Sequence, residues 1–154
     1  MALNDILSAS AIFPGLRVAS KKQALQELAA HAAELLKRDE REIFETLNQR
    51  ERLGSTGVGS GIAIPHGKLA GMDKLFGMFA RLEKPVDFES LDGEPVDLVF
   101  LLLAPEAAGA DHLKALARIA RLLRNPSVAK KLRASRDAAA IYDILTSEPA
   151  IDAA

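Results

Sequence analysis

The stretch Gly54-Ser-Thr-Gly-Val-Gly-Ser-Gly-Ile-Ala-Ile-Pro-His-Gly-Lys68 sets a glycine-rich segment and a short apolar run directly before His66. A neutral imidazole, with a pKa near ~6.5, is both nucleophilic and largely unprotonated at pH 7. A phosphoryl group accepted on such a ring can be passed on. In flight the phosphoryl spreads charge over its equatorial oxygens, so the protein's task is positioning and fixed positive potential. Groups suited to that task lie close by in the chain. The glycines at 54, 57, 59 and 61 leave the backbone free to present amides to an anion. The amides of Gly54, Gly57 and Gly59, the hydroxyls of Ser55 and Thr56, and Gly67 are therefore the predicted phosphate-binding groups. Arg50 supplies a guanidinium, and His112 is predicted to gain the help of a helix N-terminus.

Other chemistries fit less well. Gly61 to Lys68 has the wrong spacing for a nucleotide-binding P-loop and lacks its Ser/Thr. Ser60 is flanked directly by glycines, which does not make a nucleophile elbow. No HxxxH or similar ligand spacing is present and the chain has no cysteine, so no metal and no cofactor is expected. Taken singly, the candidates also have structural readings. Arg50 at a helix C-terminus is accounted for by the macrodipole, Asp111-His112 by a capped helix start, and Pro-His-Gly by a turn with a solvated histidine. His31, between Ala30 and Ala32, reads as a boundary residue without a role.

The elements that must hold these residues can be read in order. Leu3 to Leu7 with Ile12 and Phe13 forms a packed lead-in, Pro14-Gly15 a turn, and Leu16 to Ala19 a first strand. Ser20 with Gln23 is a capping box that opens a helix running to about Lys37. Asp39 with Glu42 opens a second helix, which Gly54 ends, so Arg50 and Arg52 fall in its last turn. Ile62 to Ile64 reads as a buried strand, extended at Ile64 because Pro65 follows, which puts His66 at the strand's exposed end. Lys74 to Leu82 is a strand weakened by Gly77 and Met78, and Pro85 to Glu94 a connection ending in an Asp92-Gly93 turn. Val96 to Ala104 is apolar on both faces, as a central strand would be. Asp111 is the predicted N-cap of the next helix, Asn125-Pro126 starts another to Leu132, and Ser135 or Asp137 begins a last one. The chain frays after Pro149.

Strands interleaved with helices, one strand continuously apolar, predict an α/β fold with a sheet covered on both faces by helices. In 154 residues, 49% of them apolar, one domain with a real core is expected. Twenty basic against 21 acidic residues leave a net charge of −1, which favours neither nucleic acid nor an anionic membrane as partner. The longest apolar run, Leu98 to Ala104, is too short to cross a bilayer, so a soluble, unprocessed, cytoplasmic chain is expected.

Four segments together carry a family resemblance: Arg50-Glu-Arg-Leu, Gly54 to His66, Leu91 to Pro105, and Asp111-His-Leu-Lys-Ala-Leu-Ala117. They resemble the mannitol/fructose-type enzyme IIA domains of the bacterial phosphoenolpyruvate-dependent phosphotransferase system, and within it the free-standing nitrogen-regulatory IIA proteins. The resemblance runs from about Leu3 to Leu145 and implies an enzyme IIA domain over residues 1–148 with a frayed tail at 149–154. It implies a mixed sheet of about five strands sandwiched by helices. It also implies that His66 accepts a phosphoryl group on Nε2 from the phosphohistidine of a small phosphocarrier protein, with His112 and Arg50 completing the site. No permease domain is attached, which favours a regulatory or separately encoded IIA. Regulatory target proteins or a IIB protein are the implied partners, for a monomer or weak homo-oligomer. Feeding a sugar permease and acting as a non-phosphorylated interaction module are the alternatives.

Overall fold

The computed structural model describes residues 2–147, so the tail predicted at 149–154 lies outside the described residues. A short 3-10 turn, Leu3–Asp5, leads into β1 (Leu7–Leu16), followed by α1 (Lys21–Leu36) and α2 (Glu40–Arg52). Next come β2 (Gly57–Gly59), β3 (Ile62–Ala63), β4 (His66–Leu69), β5 (Phe76–Val86) and β6 (Val96–Pro105). Three helices close the described chain: α3 (Ala110–Arg124), α4 (Pro126–Ala134) and α5 (Ala138–Thr146).

The six described strands form one mixed sheet in the order β1-β5-β6-β3-β2, with β4 also paired to β6. Leu98 to Ala104 of β6 are all fully buried, so both of its faces are covered. That is why this strand reads as an unbroken apolar run. Around it, β5 runs antiparallel while β3 and β4 run parallel. On this sheet α2 packs against β4, α3 against β6 and α5 against β1, while α1 packs on α2. The predicted α/β fold with a mixed, covered sheet is the fold observed, with six strands because Pro65 divides one extended run into β3 and β4.

Several boundaries differ from those expected. The first strand lies at Leu7–Leu16 and contains Pro14-Gly15 rather than following them. Because β1 is an edge strand, the missing Pro14 amide costs no interior ladder bond, and the register against β5 slips between Phe13 and Leu16 to absorb the kink. The Pro14 carbonyl instead accepts a bond from the buried Arg81. In β5, a side chain at Gly77 would lie 2.9 Å from the Phe100 ring of β6, so this glycine makes room for a core aromatic. Its strand also runs on through Pro85 to Val86, beyond the predicted end at Leu82.

Helix starts follow their caps. Ser20 accepts from the Gln23 amide at 3.1 Å, although Gln23 returns to the Ala19 amide rather than to Ser20's own. Asp39 accepts from Arg41, while Glu42 pairs with Arg38 instead of completing a box. Asn125 and Asp137 cap α4 and α5 as expected. The cap of α3 is Gly109, at φ 56°, two residues before the predicted Asp111. Asp111 sits inside the first turn, where its charge complements the helix dipole. His31 is half-buried and stacks on Phe13 with ring centroids 4.2 Å apart, a packing role.

Candidate functional site

His66 begins β4 rather than ending β3. The two short strands continue one another along β6, with Ala63 opposite Val99 and His66 opposite Leu102. Pro65 bridges the break by accepting the Leu102 amide at 3.0 Å, so the histidine remains pinned to the central strand. Its ring is fixed at both nitrogens. Nδ1 lies 2.7 Å from the Ile64 carbonyl, and Nε2 accepts a bond from Arg50 Nε at 3.2 Å. A carbonyl on one side and an N–H donor on the other place the proton on Nδ1 and the lone pair on Nε2.

Arg50 reaches this position from the last turn of α2 and is held there by a second bond, from Nη1 to the Gly54 carbonyl at 2.9 Å. His112 arrives from the opposite side, in the first turn of α3, with its ring edge-on to His66 and centroids 5.5 Å apart. It is buried, and its Nε2 has no hydrogen-bond partner. Burial lowers the pKa of both rings. For His66 the Nδ1 bond to Ile64 opposes that effect, the Arg50 guanidinium adds to it, and Glu51 opposes it. For His112 the charges of His66 and Lys68 add to the lowering. Both imidazoles are thus held neutral at pH 7, and His66 presents an unprotonated nitrogen.

These groups meet in a cavity of about 540 Å³ bordered by Arg50, Leu53, His66, Gly67, Lys68 and His112. A cavity of about 650 Å³ between Ile6, Leu75 and Pro105 holds no histidine or arginine. Among the described residues no cluster of histidine and carboxylate side chains could hold a metal ion. No helix among them is long and apolar enough to cross a membrane.

The glycine-rich segment does not line the cavity at His66. Gly57–Gly59 is strand β2, paired antiparallel with β3 through a turn at Ser60 and Gly61, both at positive φ. Its polar groups are spent within the fold. The Gly54 amide donates to the Glu51 carbonyl, the Thr56 amide to the Glu51 carboxylate and the Gly57 amide to Ser55 Oγ. The Ser55 hydroxyl donates to the Phe88 carbonyl and the Thr56 hydroxyl to Glu51. A side chain at Gly59 would approach the Asp92 carboxylate, whose field disfavours a phosphate there. Of the predicted phosphate-binding groups, Gly54 reaches the site through its carbonyl on Arg50, and Gly67 alone borders the cavity.

The segment is instead a brace, and its anchor is Glu51, which sequence reasoning missed. Its buried carboxylate takes Thr56 from one side and Lys21 of α1 from the other, at 2.9 Å. A signal was available in the sequence. An acid in the last turn of a helix opposes the macrodipole, so Glu51 between Arg50 and Arg52 calls for a specific partner.

Compared with known proteins, residues 5–148 match the family model for the phosphoenolpyruvate-dependent sugar phosphotransferase system, EIIA 2. The chain belongs to that family. A nitrogen regulatory protein of Bradyrhizobium diazoefficiens is 68% identical over 97% of this chain and 98% of its own length. One from Pseudomonas aeruginosa is 44% identical over 93% and 94% respectively. The crystal structure of nitrogen regulatory protein IIA-Ntr from Neisseria meningitidis, 38% identical, superposes with a TM-score of 0.89 over 94% of this chain and 99% of that one. The mannitol IIA protein of Escherichia coli shares the fold at a TM-score of 0.76 and 22% identity, over 91% of this chain and 99% of that one. In this enzyme IIA chain the sequence brought His66, Arg50 and His112 forward, and the fold gathers all three at one cavity.

Proposed function

We propose that this chain is a phosphoryl carrier: His66 Nε2 accepts a phosphoryl group from the phosphohistidine of a small phosphocarrier protein, and the phosphorylation state governs which partners bind. The observation that carries the reading is the His66 Nε2 lone pair at a cavity, flanked by the Arg50 guanidinium and by a buried, unpartnered His112 nitrogen. The family match and the nitrogen regulatory relatives support it.

In the step, the Nε2 lone pair attacks phosphorus while the donor's N–P bond breaks and its electron pair returns to the donor imidazole. No proton needs to move. His66 keeps its Nδ1–H, and the ring's developing positive charge is stabilised by the Ile64 carbonyl and the nearby Glu51 carboxylate. Arg50 turns its N–H groups from Nε2 to the phosphoryl oxygens, and His112 Nε2–H gives them a further donor. Lys68 at the cavity edge adds positive potential. The glycine-rich segment serves by holding Arg50, and exposed Leu53, 84% accessible, borders the cavity as a contact for a docking protein.

A phosphate adds about −1.5 to −2 charges to a chain of net charge −1, enough to repel or recruit a partner. On this reading the partners are regulatory target proteins in the cytoplasm, a role in keeping with the nitrogen regulatory relatives. Transfer to a IIB protein is the second reading, favoured by 35% identity to a fructose-specific EIIABC component of Bacillus subtilis over 94% of this chain. The test is incubation with labelled phosphoenolpyruvate, the system's first enzyme and its phosphocarrier. Label on the wild type and none on His66→Ala is expected. An unlabelled wild type, or equal label on the variant, would falsify the proposal, and onward transfer to a IIB protein separates the two readings.

A further inference from the structure

Helix α2 delivers Arg50 to His66 and packs against β4, and at one point of that packing there is no room for a side chain. Thr46 lies one turn before Arg50 on the same face of α2, and it rests on Gly67, the residue after His66. A Cβ built at Gly67 would lie only 2.5 Å from Thr46 Cγ2, with the Thr46 Cβ and carbonyl oxygen next at 3.8 Å. The methyl has no free way out. The Thr46 hydroxyl donates to the Glu42 carbonyl at 2.9 Å, and a β-branched side chain within a helix is stiff about χ1. Gly67 has no left-handed φ, so its backbone accepts alanine and the constraint there is steric alone.

We propose that Gly67 and Thr46 form a steric spacer that sets the separation of Arg50 from His66, the absent side chain at 67 allowing α2 to approach closely enough for the guanidinium to reach Nε2. Ordinary contact begins at 3.4 Å, so an alanine would push α2 back by roughly 1 Å. The Arg50 to His66 bond is already 3.2 Å long, and a retreat of that size breaks it. Gly67 and Thr46 are thus positioning residues that act through Arg50. Only the kinetic consequence rests on the phosphoryl-carrier reading; the geometric one stands without it.

The test is a double-mutant cycle of Gly67→Ala and Thr46→Ser, in which serine removes Cγ2 but keeps the hydroxyl bonded to Glu42. Two readouts are followed: the His66 pKa by NMR titration and the initial rate of labelling from the phosphocarrier. Gly67→Ala is expected to raise the His66 pKa, because the guanidinium that opposes protonation is withdrawn. It should also slow labelling about tenfold or more. In the Thr46→Ser background the same alanine should leave the pKa unmoved and the rate within about threefold. An unchanged His66 pKa in Gly67→Ala, or a double variant as shifted as the single, overturns the spacer. If Gly67→Ala fails to fold, recovery of folding by Thr46→Ser supports it, and failure of the pair to fold overturns it. A wild type that takes no label refutes the carrier reading, while the titration still judges the spacer.

Discussion

At the scale of single residues, the His66 nitrogen proposed to react is defined by what touches its ring. The Ile64 carbonyl selects the tautomer, burial and then Arg50 disfavour a proton on the opposite nitrogen, and in the proposed transfer Arg50 would also supply charge for the incoming oxygens. Both effects of Arg50 are measurable separately. Arg50→Ala should slow phosphoryl transfer by about 10²-fold, the usual cost of losing one preorganised donor. The same variant should raise the His66 pKa, since its charge and its share of the burial both oppose protonation. A rate loss with no change in the titration would mean that the guanidinium acts on the phosphate alone. His112 offers a parallel case, for its buried Nε2 lacks a partner in the free protein, an arrangement that costs stability unless a ligand supplies one.

At the scale of elements, the end of α2 is the part under tension between competing demands. It carries Arg50, Glu51 and Arg52 in succession, and the helix dipole suits only the two cations. Glu51 is retained because Lys21 and Thr56 satisfy it, which ties α1, α2 and the segment before β2 into one junction behind the site. Glu51→Ala would strand the Lys21 ammonium, whose remaining contacts are the exposed Glu89 and the Phe88 carbonyl and ring. A loss of about 3 kcal/mol in unfolding free energy is expected, read from chemical denaturation. A near-neutral result would show that Lys21 finds those other partners without cost.

At the scale of the whole molecule, the two site histidines link stability to pH. The folded-state pKa values of His66 and His112 are both lowered, so the native state resists a proton that the unfolded chain accepts near ~6.5. In that interval the unfolded state binds more protons, and stability rises with pH. Their contribution is complete above the unfolded pKa and is lost as pH falls through the folded values. Thermal or denaturant unfolding followed from about pH 8 to 5 should show this decline, and His66→Gln/His112→Gln should flatten it. An identical slope in the double variant would assign the decline to the carboxylates.

The helix starts at Ser20, Asn125 and Asp137 and the buried strand from Val96 were legible from the chain alone, because caps and unbroken apolar runs are local signals. His66, Arg50 and His112 were brought forward by residue chemistry joined to the family resemblance, and the fold gathers them at one cavity. Local pattern failed where a neighbour in space decided the outcome. Pro14-Gly15 reads as a turn until its edge position is known, and Gly77 reads as a weakness until Phe100 is seen beside it. The glycines from 54 to 59 were free by sequence to bind an anion, yet Glu51, Ser55 and Phe88 claim the hydrogen bonds around them. Sequence determined which side chains are able to carry a phosphoryl group. Packing of α2 and α3 around one strand of a shared sheet decided which of them meet, because separations of a few ångströms between residues distant in the chain are fixed only by tertiary contact.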